Sequence, residues 1–276
     1  MNFTHTYSPV GLVVDDKPDI FRRVLRAVLE NTSLGVLFAS DLKTAAAYVK
    51  DASIKFDFLV TDFGFAREFQ HRSQDLIDGL DLAELLKKHR PNAPVWVYSS
   101  DVDDKVFQER ARKKKVEIEE WLFKPASRAF NDSWIGIERK CLMKTLQRSE
   151  ELRTVVAKEA DVEIAAGPLD TEIIERIRTR IHFPRQTYLT QLPDNYKVIH
   201  PIEVQLLQRE QGMHVASTPN LGLIVKVEAA TPKEALDKMS ETIVEEFSAL
   251  KEKEGQLVGY AEYVLGKLKE SIQAPD

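Results

Sequence analysis

The sequence predicts a doubly wound α/β domain with a five-stranded parallel sheet, followed by a helical linker and a small α+β domain. Three observations carry this. Apolar runs alternate with helix-period segments from residue 10 to about residue 146; four of those runs finish in polar side chains; and beyond residue 200 the pattern changes to short alternating strands. Alternation of strand and helix indicates a parallel sheet covered by helices on both faces.

The first strand reads Val10-Gly-Leu-Val-Val and ends in Asp15-Asp16. Pro18 suits the first turn of a helix, and Ile20, Phe21, Val24, Leu25, Val28 and Leu29 recur at helical spacing. Leu34 to Ala39 predicts the second strand and Leu42 to Val49 an Ala-rich second helix. The third strand, Phe56 to Thr61, ends in Asp62. Leu80 to Lys88 predicts the third helix, and the fourth strand follows Pro94 and ends in Ser99. Val102 to Lys115 predicts the fourth helix, and Trp121-Leu-Phe leads to Lys124-Pro125. In such a sheet, ligands bind at strand C-termini, where neighbouring loops diverge. Asp15, Asp16, Asp62, Ser99 and Lys124 all fall there.

Placed in this order on this strand pattern, with Asp78-Gly79 opening the third helix, these residues resemble a response-regulator receiver domain (CheY-like) over residues 9–145. The resemblance implies the strand order 2-1-3-4-5, Asp62 as phosphoacceptor, and a Mg²⁺ ion held by Asp15, Asp16, Asp62 and the backbone carbonyl of Gly64. It further implies that the Lys124 ammonium pairs with the phosphoryl group, that the Ser99 hydroxyl hydrogen-bonds it, and that Lys124-Pro125 is a cis peptide. A sensor histidine kinase or a phosphotransfer protein would be the donor. The only chemistry expected is the domain's own phosphorylation and dephosphorylation, so the chain is not expected to be an enzyme otherwise. The residue types suit the task. Phosphoryl transfer needs an in-line oxygen nucleophile and positive charge on the equatorial oxygens, and three clustered carboxylates repel unless a divalent cation joins them.

Two departures from the family pattern stand out. The sixteen residues Phe63 to Asp78 make a longer loop beside the site than is usual for the family. A lid, a partner contact, a brake on transfer and a plain surface insertion packed down by Phe63, Phe65 and Phe69 are the readings open to it. At the family's aromatic switch position, three residues before Lys124, stands Trp121. Ser100 is the small residue expected after the hydroxyl position.

The chain divides into a receiver domain at 1–130, whose fifth helix runs to about residue 147, a helical linker at 131–194 and a third region at 195–276. In the linker, Trp134, Ile135, Cys141, Leu142, Leu146, Leu152, Val155 and Val156 form an apolar stripe broken at Ser149-Glu150-Glu151. Core packing is expected up to Leu146, and an interdomain or homodimer contact beyond it. Gly167-Pro168 marks a break before an amphipathic helix through Ile173, Ile174, Ile177 and Ile181, and residues 184–200, with Pro184 and Pro193, read as an extended connector.

In the third region, Ile202–Gln208, Met213–Ser217 and Leu223–Glu228 predict three antiparallel strands with one covered face. Thr231-Pro232-Lys233-Glu234 is a capping box opening a helix with Leu236, Met239, Ile243, Phe247 and Leu250, and Leu257 to Ile272 predicts another helix. Gly212-Met-His-Val-Ala-Ser-Thr-Pro-Asn-Leu-Gly222 and Thr231-Pro-Lys-Glu-Ala-Leu236 resemble a HicB-like antitoxin fold. The region carries no catalytic constellation.

With 276 residues, 43% of them hydrophobic, two ordinary cores can be buried. No apolar run reaches transmembrane length and the opening residues lack a signal-peptide pattern, so no membrane contact and a cytoplasmic location are expected. The single cysteine, Cys141, reads as a core thiol. Basic and acidic residues number 20 and 20 in 1–130, 10 and 11 in 131–194, and 9 and 13 in 195–276. The acidic last third argues against nucleic acid, whose phosphates call for a basic face. The basic cluster Arg110-Ala-Arg112-Lys-Lys-Lys115 reads as a solvated helix face, and the six histidines have no zinc-ligand spacing.

The function expected is a phosphorelay response regulator whose receiver relays its state through the linker to a protein-binding module, with an output protein as partner. The alternatives are a transcriptional regulator binding DNA through the Arg176, Arg178, Arg180 and Arg185 region, and a phosphorylation-independent receiver scaffold.

Overall fold

Parallel strands buried on both faces read as unbroken apolar runs, and that is how the first strands form. A computed structural model of the protein describes residues 8–65, 78–99, 105–123, 129–161, 170–180, 185–209 and 212–275. The chain divides into two compact units, Pro9–His182 and Phe183–Asp276.

In the first unit, β1 (Val10–Val14), β2 (Gly35–Ala39), β3 (Phe58–Thr61), β4 (Val95–Ser99) and β5 (Glu120–Phe123) pair in parallel, in the order β2-β1-β3-β4-β5. Between them run α1 (Pro18–Asn31), α2 (Leu42–Lys50), α3 (Gly79–His89) and α4 (Lys105–Lys113), and α5 (Ala129–Arg148) follows. The predicted fold class and strand order are both found. One face of the sheet packs Val13, Val36, Val60, Trp96 and Leu122 against Val24 and Val28 of α1 and Trp134, Ile137 and Cys141 of α5. Burial pushes the Cys141 thiol far up, so it is a core group.

α5 also ties down the start of β5. Lys140 pairs with Glu120 at 3.0 Å, and Lys144 pairs with Glu119. After a break at Ser149, α6 (Glu150–Ala160) and α7 (Thr171–Arg180) continue the unit. α6 packs on α5 and α7, burying Val156 and leaving Val155 half exposed, while α7 buries Ile174 and Ile177.

A charged junction fixes α7. Glu138 of α5, 1% exposed at its side chain, accepts the Ser33 N–H and pairs with Arg178 at 3.3 Å. Arg178 also donates to the Asn31 carbonyl at 3.0 Å and to Glu175 at 2.8 Å, and Arg139 holds the other Glu175 oxygen at 2.7 Å. Burial raises the Glu138 carboxyl, against the lowering pull of the Ser33 N–H and Arg178. Hydrogen bonds from Arg178 and then Arg139 bring Glu175 down to about 2.

In the second unit, β6 (Arg185–Leu189), β8 (Ile202–Gln208), β9 (His214–Ser217) and β10 (Lys226–Ala229) form an antiparallel sheet ordered β10-β9-β8-β6. β8 alternates as predicted, with Ile202, Val204 and Leu206 buried. They face α8 (Pro232–Glu252), which packs on the sheet with Leu236, Met239, Ile243 and Phe247 buried. The Thr231 side chain caps α8 by accepting the Glu234 N–H at 3.2 Å, with Pro232 at the first turn. α9 (Tyr260–Ser271) follows, and β11 (Ile272–Gln273) pairs with β7 (Lys197–Val198).

One sequence expectation is corrected here: residues 184–200 are not merely a connector. Arg185–Leu189 is the fourth strand of the sheet, paired with β8. Only Thr187 in it is fully buried, so the strand lacks the apolar alternation that marks its neighbours.

Candidate functional site

The site begins with the register of β1 and β3. Val14 stands opposite Thr61, so Asp15 and Asp62 leave adjacent strands side by side. The Asp62 N–H donates to the Val14 carbonyl at 2.8 Å and the Asp15 N–H to the Ala39 carbonyl at 3.2 Å, which extends the sheet ladder to both acids. Asp15 also turns the chain into α1: its Oδ1 accepts the Lys17 N–H at 2.9 Å. Asp15 and Asp62 are buried and Asp16 is half-buried.

One carboxylate oxygen from each of Asp15, Asp16 and Asp62 lies within 4.8 Å of the others. Among the described residues this is the group of side chains suited to a metal ion. The donors are all oxygens and all anionic, which fits a hard divalent cation such as Mg²⁺. Their mutual repulsion favours cation binding. Gly64, exposed, lies two residues beyond Asp62.

The far side of the pocket is set by α3. A Cβ on Gly79 would lie 2.0 Å from the Asp62 backbone oxygen and 2.8 Å from Thr61 Oγ1, so only glycine lets the helix start there. The Gly79 N–H donates to the Phe63 carbonyl at 3.2 Å, and Thr61 Oγ1 donates to the Asp62 carbonyl at 2.9 Å. Asp78 closes the turn as a capping box. Its Oδ1 accepts the N–H groups of Leu80 and Asp81 at 2.9 and 3.1 Å, and Asp81 Oδ2 accepts the Asp78 N–H at 3.2 Å.

Asp78 also meets α4. Arg110 Nη1 lies 2.7 Å from Asp78 Oδ2, and Lys114 lies 2.7 Å from Asp81 and 2.8 Å from Glu84. The reading of Arg110 to Lys115 as a solvated face is therefore corrected for Arg110 and Lys114. Their partners sit on α3, a relationship that spacing along α4 does not reveal. Burial, with Asp81 nearby, raises the Asp78 carboxyl, and its cap hydrogen bonds and Arg110 oppose that shift.

Ser99 ends β4, opposite Phe123 of β5. Trp121, half-buried in β5, packs against the cluster of Phe63, Leu80, Val97 and Ala111, on the side where α3 and α4 lie. Phe65 is buried as well. Lys124 with Pro125, Ser100 and loop residues 66–77, including Phe69, lie outside the described residues.

Sequence reasoning passed over Tyr98. It follows Val97, which stands opposite Thr61, and so occupies the row of Asp62. Burial raises its hydroxyl above the usual range; Asp15 and Asp62 add to the shift and Arg23 opposes it. An aromatic hydroxyl inside an apolar strand was the available signal.

Three clustered carboxylates at the strand ends of a doubly wound sheet, with a helix start pressed against the central acid, define an acidic pocket typical of a phosphoacceptor site. Residues 12–130 match the response regulator receiver domain family, and this half of the chain is such a domain. Domains of this family are in general signalling modules and not enzymes. Among solved structures, the chain is similar to a response regulator receiver domain protein from Clostridium thermocellum, at 20% identity over 50% of this chain and 98% of that one, TM-score 0.39. It is similar also to a CheY-like receiver domain protein from Methanospirillum hungatei, at 17% identity over 49% and 94%, TM-score 0.39. A third is the receiver domain of Francisella response regulator 1452, at 23% identity over 50% and 99%, TM-score 0.39. No curated protein matches the chain. The C-terminal unit is unidentified, and its likeness to a HicB-like fold finds no support in these comparisons. Among the described residues no helix is long and apolar enough to cross a membrane.

Proposed function

We propose that the chain is a cytoplasmic response regulator of a phosphorelay, in which Asp62 accepts a phosphoryl group from a sensor histidine kinase or phosphotransfer protein. The observation that carries this is the meeting of Asp15, Asp16 and Asp62 oxygens within 4.8 Å at the ends of adjacent strands. In the step itself, an Asp62 carboxylate oxygen attacks phosphorus and the donor's P–N bond breaks, its electron pair leaving with the nitrogen. Mg²⁺, held by Asp15, Asp16, Asp62 and the Gly64 carbonyl, would neutralise charge on the phosphoryl oxygens. The roles proposed for the remaining residues follow the receiver family: Lys124 pairs with the phosphoryl group, Ser99 hydrogen-bonds it, and Trp121 answers the movement of Ser99.

In this reading residues 1–130 receive the signal, the helices of 131–194 carry it, and residues 195–276 act on a protein partner. The acidic balance of the last region, 9 basic against 13 acidic residues, supports protein over nucleic acid. The test is incubation with acetyl phosphate and Mg²⁺ followed by intact-mass measurement. One phosphoryl group is expected on the parent and none on Asp62→Asn; equal incorporation by the variant overturns the assignment.

A further inference from the structure

The acceptor strand end is Asp62-Phe63-Gly64, and it is held by groups outside the Asp15, Asp16 and Asp62 cluster. The Phe63 carbonyl accepts the Gly79 N–H at 3.2 Å, and the backbone oxygen of Asp62 lies where a side chain at position 79 would begin. The Phe63 ring is buried among Leu80, Val97 and Ala111. The position of α3's first turn therefore sets the position of these residues. That turn depends on Asp78, whose carboxylate holds the N–H groups of Leu80 and Asp81.

Arg110 of α4 grips this assembly at two points. Its guanidinium lies 2.7 Å from Asp78 Oδ2, and its Cζ stands 6.0 Å from the centre of the Phe63 ring. The Asp78 side chain is 7% exposed, so its ionised form depends on the Arg110 charge together with the N–H groups of the cap. Lys114, one turn beyond Arg110 and just past the end of α4, is bonded to Asp81 and Glu84. These pairs keep α4 on α3 independently of Arg110.

Resting on the reading of Asp62 as acceptor, we propose that Arg110 is a positioning residue for phosphoryl acceptance, setting the Asp62-Phe63-Gly64 strand end through Asp78 and Phe63. Without it, Asp78 loses its counter-charge, the cap of α3 loosens, and the Gly79 to Phe63 link passes that play to the acceptor. A displacement of an ångström in reacting groups is enough to slow a reaction by orders of magnitude.

The experiment uses the full chain, acetyl phosphate and Mg²⁺, with incorporation followed by intact mass and urea midpoints taken on the same samples. Arg110→Met is expected to accept about tenfold more slowly than the parent, and Arg110→Lys, which restores the charge beside Asp78, to recover most of that rate. Lys114→Met is expected to lower the urea midpoint while accepting at the parent rate. Should Arg110→Met fail to fold, Arg110→Gln, which keeps a donor for Asp78, replaces it with the same slowing expected. An unchanged rate in the Arg110 variant, equal slowing by Lys114→Met, or no recovery in Arg110→Lys overturns the positioning role and leaves a structural ion pair. Asp62→Asn separates the two ideas. If it accepts phosphate like the parent, the acceptor reading fails; if it accepts none, the Arg110 results bear on positioning alone.

Discussion

Gly79 and Asp62 touch through backbone alone: the hydrogen that stands in for a side chain on Gly79 points at the Asp62 carbonyl, 2.0 Å from where a Cβ would sit. A helix start and the central acid of the pocket are thus one mechanical unit. Gly79→Ala must push them apart, at a cost of about 1–3 kcal/mol for overpacking. We expect a lowered urea midpoint together with slowed incorporation from acetyl phosphate. A variant with parent-like values in both would show that the contact relaxes without consequence.

Removing one carboxylate from the pocket has a different signature. Asp15→Asn or Asp16→Asn is expected to weaken Mg²⁺ binding while leaving the fold intact, since losing a like charge relieves repulsion in the metal-free protein. Titration calorimetry gives the affinity and far-ultraviolet circular dichroism the fold. Two variants that bind Mg²⁺ like the parent would mean that these acids do not share an ion.

Arg178 holds the buried Glu138 carboxylate between α5 and α7. Taking away one partner of such a pair costs about 3–5 kcal/mol, because the other is left uncompensated. Arg178→Met should therefore be strongly destabilised in urea at neutral pH. Adding Glu138→Gln, which keeps an acceptor for Ser33 and removes the charge, should recover part of the loss.

The same junction predicts opposite pH slopes on either side of 4.5, the ordinary carboxyl value for both glutamates. Glu175, depressed to about 2, stabilises the folded chain above pH 4.5, and that contribution disappears as pH falls from 4.5 towards 2. Glu138 is raised, so between 4.5 and its folded value the unfolded chain has already released the proton that the folded chain keeps. Its contribution to stability therefore declines as pH rises through that window. Urea midpoints between about pH 2 and pH 7 check both signs. Glu138→Gln should remove the decline above 4.5, and Glu175→Gln part of the loss below it.

Much of this was legible because burial on two faces leaves a plain trace. Val10–Val14 and Val95–Val97 carry no polar side chain, so the acids and the hydroxyl that end such runs stand out in the sequence. α8 was legible through Thr231-Pro232, which act locally. Relationships between distant segments were not. The partner of Arg110 lies 32 residues upstream on another helix, and nothing in the spacing of α4 distinguishes a clamped arginine from a solvated one. Arg185–Leu189 hid for a related reason: its pairing with β8, and not its own composition, makes it a strand.

Among the described residues no strand pairs with the outer side of Glu120–Phe123, one of the two edge strands of the parallel sheet, and such an edge is where a foreign strand can dock and seed fibrils. Two glutamates at its entrance, Glu119 and Glu120, are each tethered by a lysine from α5. An incoming strand would have to strip those tethers and lie against the carboxylates they leave behind. Charged side chains at a sheet edge disfavour pairing with another chain, so the lysines that anchor α5 would also hinder self-association along this strand.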